Sequence, residues 1–297
     1  MKIFVSLFLC LLLSGFSPLP TEGKQITASI FPVWLLLRQV TQNVPEISTS
    51  ILLPASTGCP HDYSMTPQDR KTLARTDILV INGLGLESFL GKGEKLLQLM
   101  KSDASVIDIG SRVDALLNDT DHHHSTNPHI FASPSMMARM AESLAVQLSE
   151  KDPEHAPLYQ ANALRIKDSL NTLAEECAAL GKKLSGSGII AQHNVFSYLA
   201  RDIGLRVDAI IQKHEGQEPS ARDLLDLVSL IREKRTAAII TEPQYPARTG
   251  KTLSAETAIP CLSLDPAAGG PTDAPMDYYE TIMRSNLHTL ESALGTR

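Results

Sequence analysis

Four side chains in this 297-residue sequence stand where chemistry could happen. They are His61 in Pro60-His61-Asp62-Tyr63, His129 in Asn127-Pro128-His129-Ile130, His193 in Gln192-His193-Asn194, and Asp265 in Leu264-Asp265-Pro266. Each follows an expected β-strand or a loop leaving one. In open parallel sheets the carboxyl ends of the strands line the crevice where ligands bind. Two of the four lie in each half of the chain, so all four can meet only in a cleft between two lobes. Neutral imidazole nitrogens with one carboxylate form a tetrahedral, borderline-soft donor set that suits Zn2+ at about 2.0–2.2 Å per bond. Taken singly, each histidine is more simply a capping or hydrogen-bonded loop residue; four at matching strand ends favour a metal. The affinity order places copper above zinc at almost any such site, so geometry and supply choose the ion.

Other residues are weaker candidates. The polar stretch 114–127 carries Asp119, Asp121 and the run His122-His123-His124. It reads as a surface loop that holds a second, loose metal ion, feeds the cleft, or is simply solvated. Cys59 precedes His61 by two residues, as a soft ligand or, more simply, a buried inert thiol. Several motifs fail. After Gly83-Leu84-Gly85 the third glycine of a dinucleotide fingerprint falls on Ser88, and Gly91-Lys92-Gly93 lacks the remainder of a phosphate loop. His214-Glu215 has no second histidine at zinc-protease spacing.

The elements that must position these groups alternate. Short β-branched runs predict strands over 25–30, 47–53, 77–82 and 105–109, then over 188–192, 206–211, 237–241 and 261–264. Helical patterns fill 33–42, 67–75, 87–101, 134–149, 195–202, 220–235 and 248–257. Strands alternating with helices imply parallel sheets covered on both faces, here two similar sets of four. Between them, Ile166, Leu170, Leu173, Cys177, Leu180 and Leu184 recur at spacings of 4, 3, 4, 3 and 4, one apolar stripe along a helix. Pro153 suits its first turn, and Gly186 with Gly188 stops it. About thirty residues at ~1.5 Å each make a rod of roughly 45 Å, enough to run along both lobes. A coiled-coil dimer is the other reading of that spacing, and more uninterrupted heptads would be needed to prefer it.

Composition sets the class. With 43% hydrophobic and 20% charged residues the chain can bury a core. A net charge of −6 argues against a nucleic-acid partner, which favours clustered Lys and Arg. Met1-Lys2, an apolar run over 3–16, the break at Ser17-Pro18-Leu19-Pro20 and the small residues of Thr21-Glu22-Gly23 read as a cleaved signal peptide, residues 1–23. Cys10 lies inside the apolar run, so a soluble exported protein is expected rather than a lipoprotein. Cys59, Cys177 and Cys261 then remain, which allows at most one intrachain disulfide.

The segment Ala55-Ser56-Thr57-Gly58-Cys59-Pro60-His61-Asp62-Tyr63, with Thr66-Pro67 after it, resembles the "PPGxSPHxYEPTP" stretch of the metal-binding proteins of zinc and manganese ABC importers. Val80 to Glu87 is similar to a strand-turn segment of that family. Asn127-Pro128-His129-Ile130-Phe131-Ala132-Ser133-Pro134 resembles its "DPHxWLDP", and His193-Asn194-Val195-Phe196-Ser197-Tyr198-Leu199-Ala200 its "HDAFxYFA". Glu242-Pro243-Gln244-Tyr245 and Leu264-Asp265-Pro266 match later segments. The likeness runs in order through nearly all of the chain after the signal. It implies an α/β fold of two βα lobes, 24–150 and 187–297, with mostly parallel four-stranded sheets. One long helix over 151–186 would join them, with the metal site in the cleft. The family's ligand positions fall on His61, His129, His193 and Asp265, and a histidine at the third resembles the zinc-type members. The sequence departs from the pattern at Ala132, Ser133 and Cys59. The resemblance implies a monomeric periplasmic solute-binding protein, not an enzyme, that carries Zn2+ (ahead of Mn2+ or Fe2+) to an ABC-type permease. Two other readings stay open: an exported zinc hydrolase using Glu242 or Glu215 as base, and a periplasmic metal chaperone. Four protein ligands would close the site and leave no position for hydrolytic water.

Overall fold

The computed structural model describes residues 23–57, 60, 63–91, 93–119, 126–184, 186–212 and 218–295. Residues 1–22, Cys59, His61, the run from His122 to His124, and His214 with Glu215 lie outside the described residues.

Two four-stranded sheets carry the fold, and every strand pairing in them is parallel. The first half runs β1 (Lys24–Ala28), α1 (Phe31–Val40), β2 (Ile47–Ile51), α2 (Pro67–Leu73), β3 (Ile78–Ile81), a short α3 (Glu94–Leu97), β4 (Ser105–Asp108) and α4 (Pro134–Lys151). After α5 (Ala156–Leu184) come β5 (Gly188–Ala191), α6 (Ser197–Ile203), β6 (Arg206–Ile210), α7 (Ala221–Lys234), β7 (Ala238–Thr241), α8 (Arg248–Thr257), β8 (Cys261–Ser263) and α9 (Tyr278–Leu294). The strand orders are β2-β1-β3-β4 and β6-β5-β7-β8. Each sheet therefore repeats the other's winding and reverses direction between its two central strands, the point where an open α/β sheet forms its crevice.

Local sequence explains most element starts. Pro67 and Pro134 stand in the first turns of α2 and α4, where a missing N–H costs nothing. Thr66 with Asp69 and Ser220 with Asp223 form reciprocal capping boxes for α2 and α7. The helix expected over 87–101 does not form as one. Ser88–Leu90 is a short 3-10 turn, and Gly91 and Gly93 take φ of 73° and 58°, which breaks the chain before α3. Glu87 is instead buried beside the end of β3, accepting hydrogen bonds from Ser29 Oγ at 2.7 Å and the Asn82 and Gly83 N–H groups at 2.7 and 3.1 Å. A helix the sequence pattern does not mark is α9, whose buried stripe is Tyr279, Met283, Leu287, Leu290 and Leu294.

The long helix α5 is 29 residues, roughly 44 Å at ~1.5 Å per residue. Its stripe from Ile166 to Leu184 is buried throughout. It packs against α4 and α1 of the first half and against α6 and α9 after it. Where α5 crosses α6, Gly181 lies so close that a Cβ would overlap the Ile203 carbonyl oxygen. One apolar core spans both halves, from Ile26 to Leu294, and a smaller cluster of Ile190, Ile211, Leu227, Ile231, Ile239 and Leu253 lies under α7 and α8. No described helix is long and apolar enough to cross a membrane. Cys177 and Cys261 are free thiols.

Candidate metal centre

The second sheet presents its groups where its winding reverses. β5 and β7 are its adjacent central strands. His193 follows the end of β5 by two residues, and Glu242 directly follows β7. Both are buried, 6% and 2% exposed, and the His193 Nδ1 lies 3.2 Å from Glu242 Oε1. Strand register thus sets a carboxylate against an imidazole, an arrangement that fixes ring orientation and makes the other ring nitrogen a better donor. Tyr245 stands edge-on to His193, with ring centroids 6.2 Å apart.

The first half contributes His129, 3% exposed, on the turn before α4. The preceding segment is tethered to the sheet: Asn82, just past β3, donates through Nδ2 to the Pro128 carbonyl at 3.0 Å. Asn82 is held in turn by Glu87, whose carboxyl burial pushes up to about 7 against the hydrogen bonds from Ser29, Asn82, Gly83 and its own backbone that pull it down. Asn127 Oδ1 accepts from the His129 N–H at 2.9 Å and lies 2.8 Å from its Nδ1. The rings of His129 and His193 meet edge to face with centroids 4.9 Å apart, one from each half.

Asp265 sits at the mouth of the second sheet, two residues past β8. Asn286 of α9 clamps its backbone from both sides, accepting from its N–H at 2.9 Å and donating to its carbonyl at 2.7 Å. Its Oδ1 accepts from the Ala267 N–H at 2.8 Å and from Gln244 Nε2 at 3.2 Å. Burial pushes this carboxyl up from its ordinary range, and those two donors pull it back in part. Of the four expected ligands, the structure brings His129 and His193 together and fixes Asp265 at a strand end. His61 lies outside the described residues, as does the His122 to His124 run. Among the described residues no three His, Cys, Asp or Glu side chains gather into a group that could hold a metal ion. The supporting groups Asn127, Asn82 and Asn286 were not singled out from sequence. The signal for Asn127 was its place two residues before His129, and Asn286 offered none, because α9 itself was not marked.

A family described as zinc-uptake complex component A, periplasmic (ZnuA), matches residues 26–293. The chain belongs to that family. It is 24% identical over 287 residues to the high-affinity zinc uptake system protein ZnuA of Bacillus subtilis, covering 92% of this chain and 88% of that protein. It is 26% identical over 312 residues to the zinc-binding protein AdcA of Streptococcus pyogenes, and there it spans only 60% of the relative's length while 98% of this chain is covered. Among solved structures it resembles the solute-binding protein FpvC from Pseudomonas aeruginosa in complex with Mn2+, with a TM-score of 0.81 and 25% identity over 93% of this chain and 99% of that one.

Proposed function

We propose that this chain captures a transition-metal ion, Zn2+ before others, between its two halves and delivers it to the membrane permease of an ABC-type importer. The observation that carries the reading is the pair of buried imidazoles, one from each half, that meet at 4.9 Å inside a chain belonging to a periplasmic zinc-uptake family over residues 26–293. The ion is cargo. His61, His129, His193 and Asp265 are its proposed ligands, and the lobes are proposed as 24–150 and 187–297. Three imidazoles and one carboxylate favour a borderline ion over a hard one, which sets zinc ahead of manganese even though a structural relative holds Mn2+. Glu242, one of the two bases a hydrolase could use, is engaged with His193 Nδ1, which supports a carrier; Glu215, the other, lies outside the described residues. Export through a cleaved segment ending at Gly23, and action as a monomer, complete the proposal.

Titration of the purified chain with zinc against a chelator of known affinity tests it. One ion per chain is expected, and His61→Ala, His129→Ala, His193→Ala and Asp265→Ala should each weaken binding about 10–100-fold or more, since even supporting groups reach that range. If three of the four variants bind as tightly as the wild type, the ligand assignment fails. Recovery from the periplasmic fraction with an N-terminus at Lys24 tests the export step. A lipidated, membrane-bound form would refute it.

A further inference from the structure

We infer that Asn127 is a positioning residue: its amide decides which nitrogen His129 offers to the ion and ties His129 to the backbone beside His193. The inference rests on the proposed metal capture for its consequence, though not for its geometry. The amide is 0% exposed and meets two backbone groups whose roles are fixed. Its Oδ1 faces the His129 N–H at 2.9 Å, which can only donate, and its Nδ2 faces the Asn194 carbonyl at 2.9 Å, which can only accept. Turned over, it would set donor against donor and acceptor against acceptor, so it has one orientation. The oxygen that takes the backbone N–H is also the atom 2.8 Å from His129 Nδ1. That nitrogen must therefore carry the ring proton, which leaves the unprotonated lone pair on Nε2. Neutral imidazole in water favours the opposite tautomer, so the protein imposes this one.

The same side chain reaches across the molecule. Asn194 follows His193 directly, so one amide ties the His129 ring to the backbone just after His193. The backbone of Asn127 is fixed as well, because its carbonyl accepts from Tyr198 OH at 2.8 Å, and Tyr198 in turn accepts from the Leu117 N–H at 3.0 Å. A carboxylate would supply the acceptor for Nδ1 but has no donor for the Asn194 carbonyl. The amide thus does two things: it sets the tautomer on one side and the spacing of the halves on the other. Ordering the two rings before the ion arrives lowers the cost of binding it.

Long-range proton–nitrogen spectra of the metal-free, nitrogen-15-histidine-labelled protein above the histidine titration range read the tautomer directly. His129 should be protonated at Nδ1 in the wild type. Asn127→Ala should shift it toward Nε2–H and raise the zinc dissociation constant about 10–100-fold. Asn127→Asp, which keeps the acceptor, should retain the Nδ1–H tautomer and recover most of that affinity, an outcome that a purely structural role would not produce. The inference is overturned by an Nε2–H form in the wild type, or by an Asn127→Ala variant with unchanged tautomer and affinity. Should the alanine variant not fold, the wild-type spectrum and Asn127→Asp still decide. Because the tautomer is read without metal, a wild type that shows Nδ1–H yet binds no zinc would sink the proposed function and leave this role supported.

Discussion

Glu242→Gln is the perturbation whose size the structure best constrains. Glu242 Oε1 lies 3.2 Å from His193 Nδ1, with side chains 2% and 7% exposed, so the pair is shielded from water. A metal on the other ring nitrogen makes the Nδ1–H more acidic and strengthens its bond to a carboxylate, so the interaction is worth more in the loaded state than in the empty one. Replacing a charged acceptor by an amide oxygen exchanges a bond of roughly 1.5–3 kcal/mol for one of about 0.5–1.5 kcal/mol. The lost charge adds a second effect. A carboxylate roughly 7 Å from a divalent ion is worth several kcal/mol at an effective dielectric near 20, of which screening leaves a part. The two effects overlap, and about 1.5–2.5 kcal/mol, or roughly 10- to 60-fold, is the reasonable range for the rise in zinc dissociation constant. The assay is chelator competition at pH 7.5 on the wild type and Glu242→Gln, with thermal unfolding of both metal-free proteins as the folding control. The metal-free variant must still unfold cooperatively for the comparison to count, since removing one partner of a buried pair can itself cost stability. A well-folded Glu242→Gln variant that binds within twofold of the wild type would refute the claim that this carboxylate supports the ion.

His193→Glu should weaken zinc relative to manganese, since a hard oxygen replaces a borderline nitrogen; paired competition titrations with the two metals check it. Gly181→Ala should lower the unfolding temperature. The clash with the Ile203 carbonyl costs about 1–3 kcal/mol or more, and the gain in helix propensity of about 1 kcal/mol does not offset it. Burial would raise Asp152, but bonds from Lys24, Tyr159 and His155 hold it down to about 2. A depressed carboxyl stabilises above its ordinary value of 3.8 and loses that contribution as pH falls toward 2, so the stability gap between wild type and Asp152→Asn should close over that window in denaturant titrations. Solution scattering of the empty and zinc-loaded protein should nearly coincide, and a large closure on loading would contradict it.

Strand placement was legible because each β-branched run is short and bounded by helical pattern, and β5, for example, falls within a residue of its expected span. The long helix was legible for the same kind of reason: six apolar residues spaced 4, 3, 4, 3 and 4 fit a helix and not a strand. The failure at 87–101 has a physical cause. Apolar spacing continues through that segment, yet two glycines with positive φ and a buried carboxylate override it. His129 and His193 stood out in the sequence as imidazoles beside expected strands or the loops leaving them, and the structure places their rings 4.9 Å apart. Their partners did not stand out, since Asn127 and Asn286 are chemically ordinary and acquire their roles only from neighbours distant in sequence, 67 residues away for Asn127 with Asn194 and 21 for Asn286 with Asp265.

The bonds that cross between the halves explain why a small ion suits this fold better than a large solute. Arg38 and Gln39 of α1 donate to the Ala274 and Met276 carbonyls at 2.7 and 2.9 Å, and the Gly270 N–H donates to the Ala55 carbonyl at 2.9 Å. On the other flank Tyr198 and Asn194 meet Asn127, Ser135 Oγ donates to Asp202 at 2.8 Å, and Arg201 donates to the Ala115 carbonyl at 2.6 Å. A hinge that opened the cleft would break most of these. At about 1 kcal/mol each they amount to several kcal/mol, before any loss from the shared core or from bending α5. An open state lying about 5 kcal/mol above the closed one is populated well below 1%. A solute that had to be engulfed would lose that factor from its affinity, whereas an ion bound at ~2 Å needs only its ligands in place. Rigidity of this kind favours local rearrangement of loops over hinge closure, with the rings of His129 and His193 held 4.9 Å apart.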